Sequence, residues 1–312
     1  MVQNIVCLAG GVGAAKFLQG LVEVMPPRDV TVIVNTGDDI TLHGLHISPD
    51  PDIVMYTLAG SVDPEKGWGI KDDTFNCLER LHRYGSATWF KLGDKDLATH
   101  IFRTQLLRKG YTLAEVTHRL CKALGIQTKI LPMTNDAITP QIVTEKGKLH
   151  FEEYLVRNEA KAKILNVTFK GLRKASAAPG VIESIYDASG IIVCPSNPIV
   201  SIGPILAVRQ VRAALRKTTA DIVAISPIVG GATIKGPADK LMRGLGLEVS
   251  AFSVASLYQD FLNTFILDKA DEAEKEKIEN LGITAITADT VMRSLEDKMT
   301  LATLALRSLN DC

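Results

Sequence analysis

Short apolar runs alternate with amphipathic stretches along this chain, beginning at its first residues. A buried run at 4–9 is followed by three closely spaced glycines, and an amphipathic stretch at 14–24 ends at a pair of prolines. A β-branched run at 30–35 comes next. A strand, a glycine turn, a helix and a second strand in this order are typical of a parallel βαβ unit.

The middle of the chain is dominated by helical periodicity. Stretches with this pattern lie at 52–58, 72–84, 95–108 and 113–124. Such spacing of apolar residues favours amphipathic helices. We therefore predict a mostly helical insertion over about residues 50–125, which walls one side of an active-site cleft.

The second half returns to alternating strands and helices. We predict strands at 128–131, 141–144, 149–156 (an antiparallel hairpin partner), 191–194, 222–225, 265–267 and 284–286, and helices at 204–216, 237–245, 271–279 (solvated) and 290–309. This order predicts an α/β fold with Rossmann-like connectivity. We expect a single α/β domain spanning residues 1–312, with a mainly parallel sheet flanked by helices.

Composition and charge narrow the class of protein. The 312 residues include 35 Lys plus Arg and 35 Asp plus Glu, and 46% are hydrophobic. This composition is globular rather than disordered, and the neutral charge argues against a nucleic-acid binder. No run reaches the roughly 18 apolar residues of a membrane helix, and the start does not resemble a signal peptide. We expect a cytoplasmic protein without a membrane partner.

Cysteines indicate neither a metal site nor a disulfide framework. They are five in number and widely spaced, without a Cys-x-x-Cys pair. Cys7 and Cys194 fall in apolar runs, so we predict that they are buried free thiols.

Four predicted strands end in small and polar residues, which is where open α/β sheets bind ligands. These ends are Gly10–Gly13, Asn35–Asp39, Pro195–Pro198 and Ser226–Gly231. The first is close to two phosphate-binding fingerprints and matches neither. Lys16 stands where a dinucleotide fingerprint has its third small residue, and no Gly-Lys-Ser/Thr closes a P-loop. The turn either faces a phosphate or is a tight strand-to-helix turn that binds nothing.

The stretch 35–52 is rich in acids. Carboxylates there suit Mg²⁺, which takes one or two of them together with substrate phosphates. His43 and His46 lack a metal-helix spacing and are interpreted as loop hydrogen bonders. Asp52 directly precedes a helical pattern and is interpreted as its N-cap. Asp50, between two prolines and with no helix to cap, is the better candidate for a chemical role.

Two further segments carry candidate ligand contacts. Trp89 and Phe90 could stack on a planar ring, although aromatic side chains more often pack in a core. Lys235, among glycines before a helix, either meets a phosphate or is a solvated loop lysine.

Five segments together resemble one family. GGVGAAKFLQGL, VNTGDDITLHGLHISPDPDIVMYTLAG, WFKLGDKDLATHIFRT, CPSNPIVSIGPIL and ISPIVGGATIKGPADKLM occur in order from Gly10 to about Met242. They resemble the CofD family, the 2-phospho-L-lactate transferases of deazaflavin coenzyme F-420 biosynthesis. The resemblance implies transfer of phospholactate from lactyl-2-diphospho-5'-guanosine to the ribityl hydroxyl of 7,8-didemethyl-8-hydroxy-5-deazariboflavin (Fo). GMP is then released, Mg²⁺ is the cofactor, and a homodimer is expected.

The resemblance also implies where each substrate binds. The deazaflavin would contact Asp50, His46, Ser48, Trp89 and Lys91. Asp50 would be catalytic and linked to the metal, and it could equally act as base toward the hydroxyl. The nucleotide and its phosphates would contact residues of the four strand ends: Gly10, Gly11, Val12, Gly13, Ala14, Asn35, Thr36, Asp38, Asp39, Ser196, Asn197, Ser226, Gly230, Gly231 and Lys235.

Two other functions compete with this one. A sister branch of the superfamily comprises regulatory proteins thought to bind nucleotide sugars, and it would share the glycine turn and the sheet. The aromatic segment at Trp89 and the 43–52 loop resemble the transferase branch instead. A nicotinamide-dependent oxidoreductase is disfavoured by the missing third glycine and by the strand end Asn35-Thr36, which is not acidic.

Ligand-induced stabilisation separates the nucleotide classes. GDP is expected to raise the melting temperature and NAD is expected to leave it unchanged, because a ligand that binds only the folded state stabilises it. Differential scanning fluorimetry measures both. A rise with NAD and none with GDP would reverse the assignment.

Overall fold

A computed structural model describes residues 4–309, and its strands are short and mostly buried. In chain order they are β1 (Ile5–Ala9), β2 (Val30–Val34), β3 (Ile40–Leu42), β4 (Leu45–Ile47), β5 (Lys129–Pro132), β6 (Thr139–Thr144), β7 (Gly147–His150), β8 (Ile164–Lys170), β9 (Gly190–Val193), β10 (Asp221–Ile225), β11 (Ile228–Val229), β12 (Ala232–Thr233), β13 (Thr264–Asp268) and β14 (Thr284–Ala288).

Helices fill most of the intervals between the strands. They are α1 (Gly11–Val24), α2 (Pro49–Leu58), α3 (Asn76–Arg83), α4 (Asp94–Arg108), α5 (Leu113–Ala123), α6 (Val181–Tyr186), α7 (Ile202–Ala207), α8 (Val211–Leu215), α9 (Ala238–Gly244), α10 (Ala251–Tyr258), α11 (Lys275–Glu279) and α12 (Leu295–Arg307). Short 3-10 turns lie at Pro27–Asp29, Leu172–Lys174 and Lys269–Glu274, and a π-helical turn at Glu153–Arg157.

Seven strands form one parallel sheet in the order β14-β13-β10-β9-β1-β2-β5. The chain leaves β1 toward β2 on one side, and β9 later pairs with its other side. The strand order therefore reverses at β1, and the predicted α/β fold with a parallel, helix-flanked sheet is confirmed. A reversal of this kind opens a crevice at the carboxyl ends of the two strands.

Alternation along the strands sends side chains into two cores. In β1, Ile5 and Cys7 belong to the core under α1, α2, α5 and α12, whereas Val6 and Leu8 belong to the core on the opposite face. The period of two follows from strand geometry. Cys7 and Cys194 are buried free thiols, as predicted. A separate antiparallel sheet, β7-β6-β8, packs on the second face.

Three predicted elements have a different conformation in the structure, beyond shifts of their ends. The hairpin partner predicted at 149–156 is a strand only as far as His150, and a helical turn follows. The helix predicted at 204–216 is two helices, because Gln210 has a left-handed φ of 76° between them. The acidic stretch 271–279 begins with a 3-10 turn, and Asp271 is buried rather than solvated.

Helices α2 to α5 occupy most of the interval for which an insertion was predicted. Asp52 was interpreted as the N-cap of a helix, and this was wrong, because α2 begins at Pro49. Its carboxylate instead pairs with Arg103 of α4, whose Nη1 lies 3.1 Å from Asp52 Oδ2. Arg103 is only 1% exposed. A buried ion pair therefore joins α2 to α4.

Among residues 4–309, no helix is both long enough and apolar enough to cross a membrane.

Loss of this ion pair has a large expected effect on stability. Arg103→Met removes the guanidinium that neutralises the buried Asp52 carboxylate, so the free energy of unfolding should fall by about 3–5 kcal/mol. Urea denaturation measures the loss. Asp52→Asn added to Arg103→Met should restore part of it.

Arg293→Met is the matched control, since Arg293 and Asp289 form an ion pair in which both side chains are exposed to solvent. Exposed pairs contribute little, so no measurable change is expected there. Equal losses in the two variants would contradict a special role for the buried pair.

Candidate active site

A cleft of about 580 Å³ opens beyond the carboxyl ends of β1 and β9. It is lined by the start of α1, the first turns of α2, the loops after β9 and β10, and aromatic residues that precede α4. This is the crevice expected where the strand order reverses. Of the residues predicted to bind substrates, those lining it are Gly10, Gly11, Val12, Gly13, Asp38, Asp50, Trp89, Lys91, Ser196, Asn197, Ser226 and Lys235.

Glycines allow α1 to begin close to its neighbours. The helix begins at Gly11, three residues before the predicted start. A Cβ on Gly10 would lie 2.7 Å from Asp50 Oδ2, and a Cβ on Gly13 would lie 2.3 Å from the carbonyl oxygen of Pro195. Neither position has room for a side chain. The first amides of α1 consequently lie at the cleft surface, where a helix N-terminus favours an anion.

Asp50 lies at the centre of the cleft, in the first turn of α2. It was predicted to lie between two prolines with no helix to cap; α2 instead begins at Pro49 and includes Asp50 and both prolines, with Ser48 at the N-cap position. Asn35 Nδ2 donates to Asp50 Oδ2 over 2.8 Å. Burial raises the pKa of Asp50 to about 7, against the hydrogen bonds from Asn35 and the Gly11 amide, which lower it. A carboxyl group with this pKa can exchange a proton near neutral pH.

Two further buried acids line the same cleft. Burial raises the pKa of Asp38, and the charges of Asp50 and Glu152 raise it further. Burial, followed by the charge of Asp50, raises the pKa of Glu152 to about 8. Asp38 Oδ1 is buried without a hydrogen-bond partner among residues 4–309. Glu152 was missed by sequence analysis because it falls where a hairpin strand was predicted.

Several predicted contact residues support the cleft from behind instead of lining it. Asp39 Oδ2 accepts a hydrogen bond from Ser48 Oγ at 2.9 Å and lies 2.8 Å from His46 Nε2. Asn35 holds Asp50, as described above. Ala14, Thr36, Asn35 and Ser48 are buried. The hydrogen bonds of Asn35, Asp39 and Ser48 fix the loop between β2 and α2 from which the acids project.

The loops after β9 and β10 contribute polar groups. Ser196 Oγ accepts a hydrogen bond from the Gly10 amide over 3.3 Å, which joins this loop to the start of α1. Asn197 Oδ1 accepts from the amides of Ile199 and Val200. The Ser226 hydroxyl bonds both backbone groups of Ile228. Asn197 and Ser226 therefore hold their own turns while lining the cleft.

The glycine pair after β10 does not present free amides. The amides of Gly230 and Gly231 donate to the Asp271 carboxylate at 3.0 and 3.2 Å, and neither residue lines the cleft. Asp271 lies forty residues away in sequence, so local pattern gave no sign of this contact. The same turn does carry Lys235 to the cleft.

Lysines form a basic wall. Lys16 lines the cleft from the second turn of α1, and burial, together with the charges of Lys235 and Lys298, lowers its pKa. A Cβ built on Gly67 would lie 3.7 Å from Lys235 Nζ and 3.8 Å from Val12 Cγ1, so this ammonium lies near the start of α1. Within residues 4–309, neither Lys16 nor Lys235 has an acidic partner within 4.0 Å. From the sequence, Lys16 was only a departure from the dinucleotide-binding fingerprint, so its place in the cleft was not predicted.

Aromatic side chains line another wall. Trp89 is half-buried and packs edge-on against Phe90, with ring centroids 5.7 Å apart. Trp68 and Tyr56 line the cleft with them. The exposed Lys91 lies beside this group. Such a wall offers flat apolar surface to a planar ligand.

One group of side chains has spacing suited to a metal ion. Asp52, Asp96 and His100 place ligand atoms within 4.8 Å of one another, and they are the one such trio in the described part of the chain. Asp52 is already paired with Arg103, and Asp96 accepts a hydrogen bond from Tyr56 Oη at 2.6 Å. Distances therefore permit a metal there, although a cation already neutralises one of its acids.

The chain is similar over nearly its whole length to one family model and to proteins named as transferases. The family model described as 2-phospho-L-lactate transferase CofD matches residues 5–304. A Methanosarcina acetivorans protein named 2-phospho-L-lactate transferase is 42% identical over 297 residues, covering 95% of this chain and 96% of the relative. A Streptomyces griseus protein named phosphoenolpyruvate transferase is 42% identical over 309 residues, covering 97% of each.

A solved structure shares the fold. The crystal structure of a UPF0052-family protein from Bacillus halodurans superimposes with a TM-score of 0.65 at 18% identity, covering 98% of this chain and 99% of that one. At this identity the likeness concerns architecture alone. The family match extends over nearly the whole chain, and the named relatives are transferases. This chain belongs to the CofD family of 2-phospho-L-lactate transferases.

Proposed function

We propose that the protein transfers a 2-phospho-L-lactyl group from lactyl-2-diphospho-5'-guanosine to the ribityl hydroxyl of Fo, with release of GMP. The observation that carries this proposal is one cleft with three chemically different walls: helix amides with lysines, buried carboxyls, and aromatic rings. A diphosphate, a reacting hydroxyl and a tricyclic ring system need these three surfaces. Family membership supports the same reaction class.

The donor diphosphate binds at the start of α1 in this proposal. The amides of α1 beyond Gly11, whose own amide donates to Asp50, face the phosphates, and Lys16 and Lys235 offset their charge. Phosphoryl-type transfer depends mainly on alignment and charge neutralisation, so no covalent intermediate is required. The unpaired state of both lysines supports an anionic ligand between them.

The acceptor binds at the aromatic wall, where Trp89 and Trp68 provide stacking surface. Its primary hydroxyl then points toward Asp50. The hydroxyl oxygen forms a bond to the phosphorus that bears lactate, and the bond from that phosphorus to the GMP phosphate oxygen breaks. Asp50 is positioned either to take the hydroxyl proton or to hold the cation beside the reacting phosphate.

Mg²⁺ fits this chemistry. The cleft offers the carboxylates of Asp38 and Asp50, and Asp38 Oδ1 is a buried oxygen without a hydrogen-bond partner in the described part of the chain. Hard oxygen ligands of this kind suit Mg²⁺. When bound, the ion would offset charge on the diphosphate as GMP departs.

The identity of the three-carbon acid is a separate point. Relatives of equal identity are named for phospholactate and for phosphoenolpyruvate, so enolpyruvyl transfer is the second candidate. Single-turnover assays with each guanosine diphosphate donor, analysed by mass spectrometry of the deazaflavin product, distinguish the two. Preferential use of the enolpyruvyl donor would replace phospholactate in the proposal.

Asp50→Asn tests the centre of the cleft. Asparagine keeps the size of the side chain but can neither take a proton nor bring a negative charge to a cation. Transfer is expected to fall by several orders of magnitude, while circular dichroism and the melting temperature stay close to those of the parent. Turnover like that of the parent would remove Asp50 from the mechanism.

Lys16→Gln tests the basic wall. Loss of one charged hydrogen bond to the diphosphate should lower kcat/KM for the donor by about ten- to a hundredfold, with Fo affinity unchanged.

Lys298→Gln is the matched control. Lys298 donates to Gln19 and does not line the cleft, so we expect its kinetics to match the parent. Equal losses in both variants would show that Lys16 acts through the overall positive charge near the cleft and not through a direct contact with the diphosphate.

A further inference from the structure

We propose that Glu152 completes a divalent-cation site with Asp38 and Asp50, holding a hydrated ion at the acidic wall of the cleft. Glu152 comes from the antiparallel β7-β6-β8 unit, which the sheet topology alone would not connect to the active site. The inference deepens the proposed function, on which it rests for the identity of the ion as Mg²⁺.

The first support is the position of Glu152. His150, at the end of β7, lies between the hairpin and the loop that carries Asp38. Its Nε2 lies 3.2 Å from the carbonyl oxygen of Asp39, and its Nδ1 lies 3.1 Å from the amide nitrogen of Glu152. The Asp39 carbonyl can only accept a hydrogen bond, so Nε2 carries the proton. The Glu152 amide can only donate, so Nδ1 accepts, and the ring is the neutral tautomer protonated on Nε2. One imidazole thus fixes Glu152 against the Asp38–Asp39 segment.

The backbone around Glu152 is also unusual. A π-helical turn, Glu153–Arg157, follows it directly, and the Asn158 amide donates to the Glu153 carbonyl over 2.9 Å. Single π turns are rare and occur frequently at functional sites. Phe151 and Glu152, just before the turn, and Leu155, within it, all line the cleft.

The second support is charge. Asp38, Asp50 and Glu152 are 4%, 6% and 6% exposed. Within residues 4–309, no Lys, Arg or His lies within 4.0 Å of any of the three carboxylates. Buried acids without a counter-charge are costly, and a bound cation removes that cost.

The third support is an unsatisfied ligand atom. Asp38 Oδ1 is fully buried and has no hydrogen-bond partner among the residues that the structure describes, although its side chain lines the cleft. Buried carboxylate oxygens normally find a partner. A cation or its bound water supplies one here.

Asp52, Asp96 and His100 form the alternative site. Their ligand atoms are closer together, but Arg103 already neutralises Asp52, and Tyr56 donates to Asp96. A second cation among them would meet the Arg103 charge. The three acids of the cleft do not bring ligand atoms within 4.8 Å of one another, a wider spacing that suits a hydrated Mg²⁺, because this ion keeps several of its waters and takes few direct carboxylates.

Manganese binding tests the proposal without substrates. Mn²⁺ shares the oxygen-ligand preference of Mg²⁺ and is observed directly by electron paramagnetic resonance. The parent protein should bind one Mn²⁺ per chain, displaced by Mg²⁺, with a rise in melting temperature that grows with Mn²⁺ concentration. Absence of bound Mn²⁺ up to millimolar concentration would overturn the proposal.

Glu152→Gln should weaken Mn²⁺ at least about tenfold, by analogy with the loss of other metal-site residues. It should fold with an unchanged or higher melting temperature in EDTA, since it removes one of three crowded acids. Asp38→Asn is the second variant, expected to weaken Mn²⁺ similarly, and it decides the question if Glu152→Gln does not fold.

Asp96→Asn is the matched control, because it removes a carboxylate from the alternative site and keeps an acceptor for Tyr56. Its Mn²⁺ affinity should equal that of the parent. Loss of Mn²⁺ in Asp96→Asn with retention in Glu152→Gln would transfer the ion to the alternative site. Since no substrate is present, failure of phospholactyl transfer and failure of this inference are separate results.

Discussion

The backbone of Gly10 and Gly13 lies so close to neighbouring segments that no side chain fits between them. Asp50 Oδ2 occupies the space beside Gly10, and the Pro195 carbonyl occupies the space beside Gly13. This contact brings together the start of α1, the first turn of α2 and the loop after β9. The amides, the carboxylate and the loop hydroxyl consequently share one cleft at the point where the strand order reverses.

Opposite charges occupy different walls of this cleft. Lys16 and Lys235 lie toward the start of α1, whereas Asp38, Asp50 and Glu152 are buried together. Among residues 4–309, neither the two lysines nor the three acids have an oppositely charged partner within 4.0 Å. A cleft with separated charges is suited to ligands that carry both an anionic group and a cation, and a diphosphate accompanied by a divalent ion is such a combination.

Architecture and chemistry have different determinants here. A protein with 18% identity shares the fold, and that likeness by itself assigns no reaction. The segments that carry the walls lie on loops and helix starts: the loop between β2 and α2, the aromatic residues before α4, and the turn after β7. A rigid sheet positions these segments, while their side chains determine which molecules bind.

The sequence by itself determined the α/β fold and the family, because period-two runs, helical periodicity and glycine turns are local signals. Asp50, Trp89 and Lys235, which it singled out as site candidates, line the cleft. Contacts between residues distant in the chain were decided only by the tertiary structure. The Asp271 carboxylate accepts hydrogen bonds from the Gly230 and Gly231 amides. Arg103 forms an ion pair with Asp52, and the hydrogen bonds of His150 hold Glu152 near Asp38 and Asp50. Long-range contacts of this kind leave no periodic trace, since they depend on how separate elements pack.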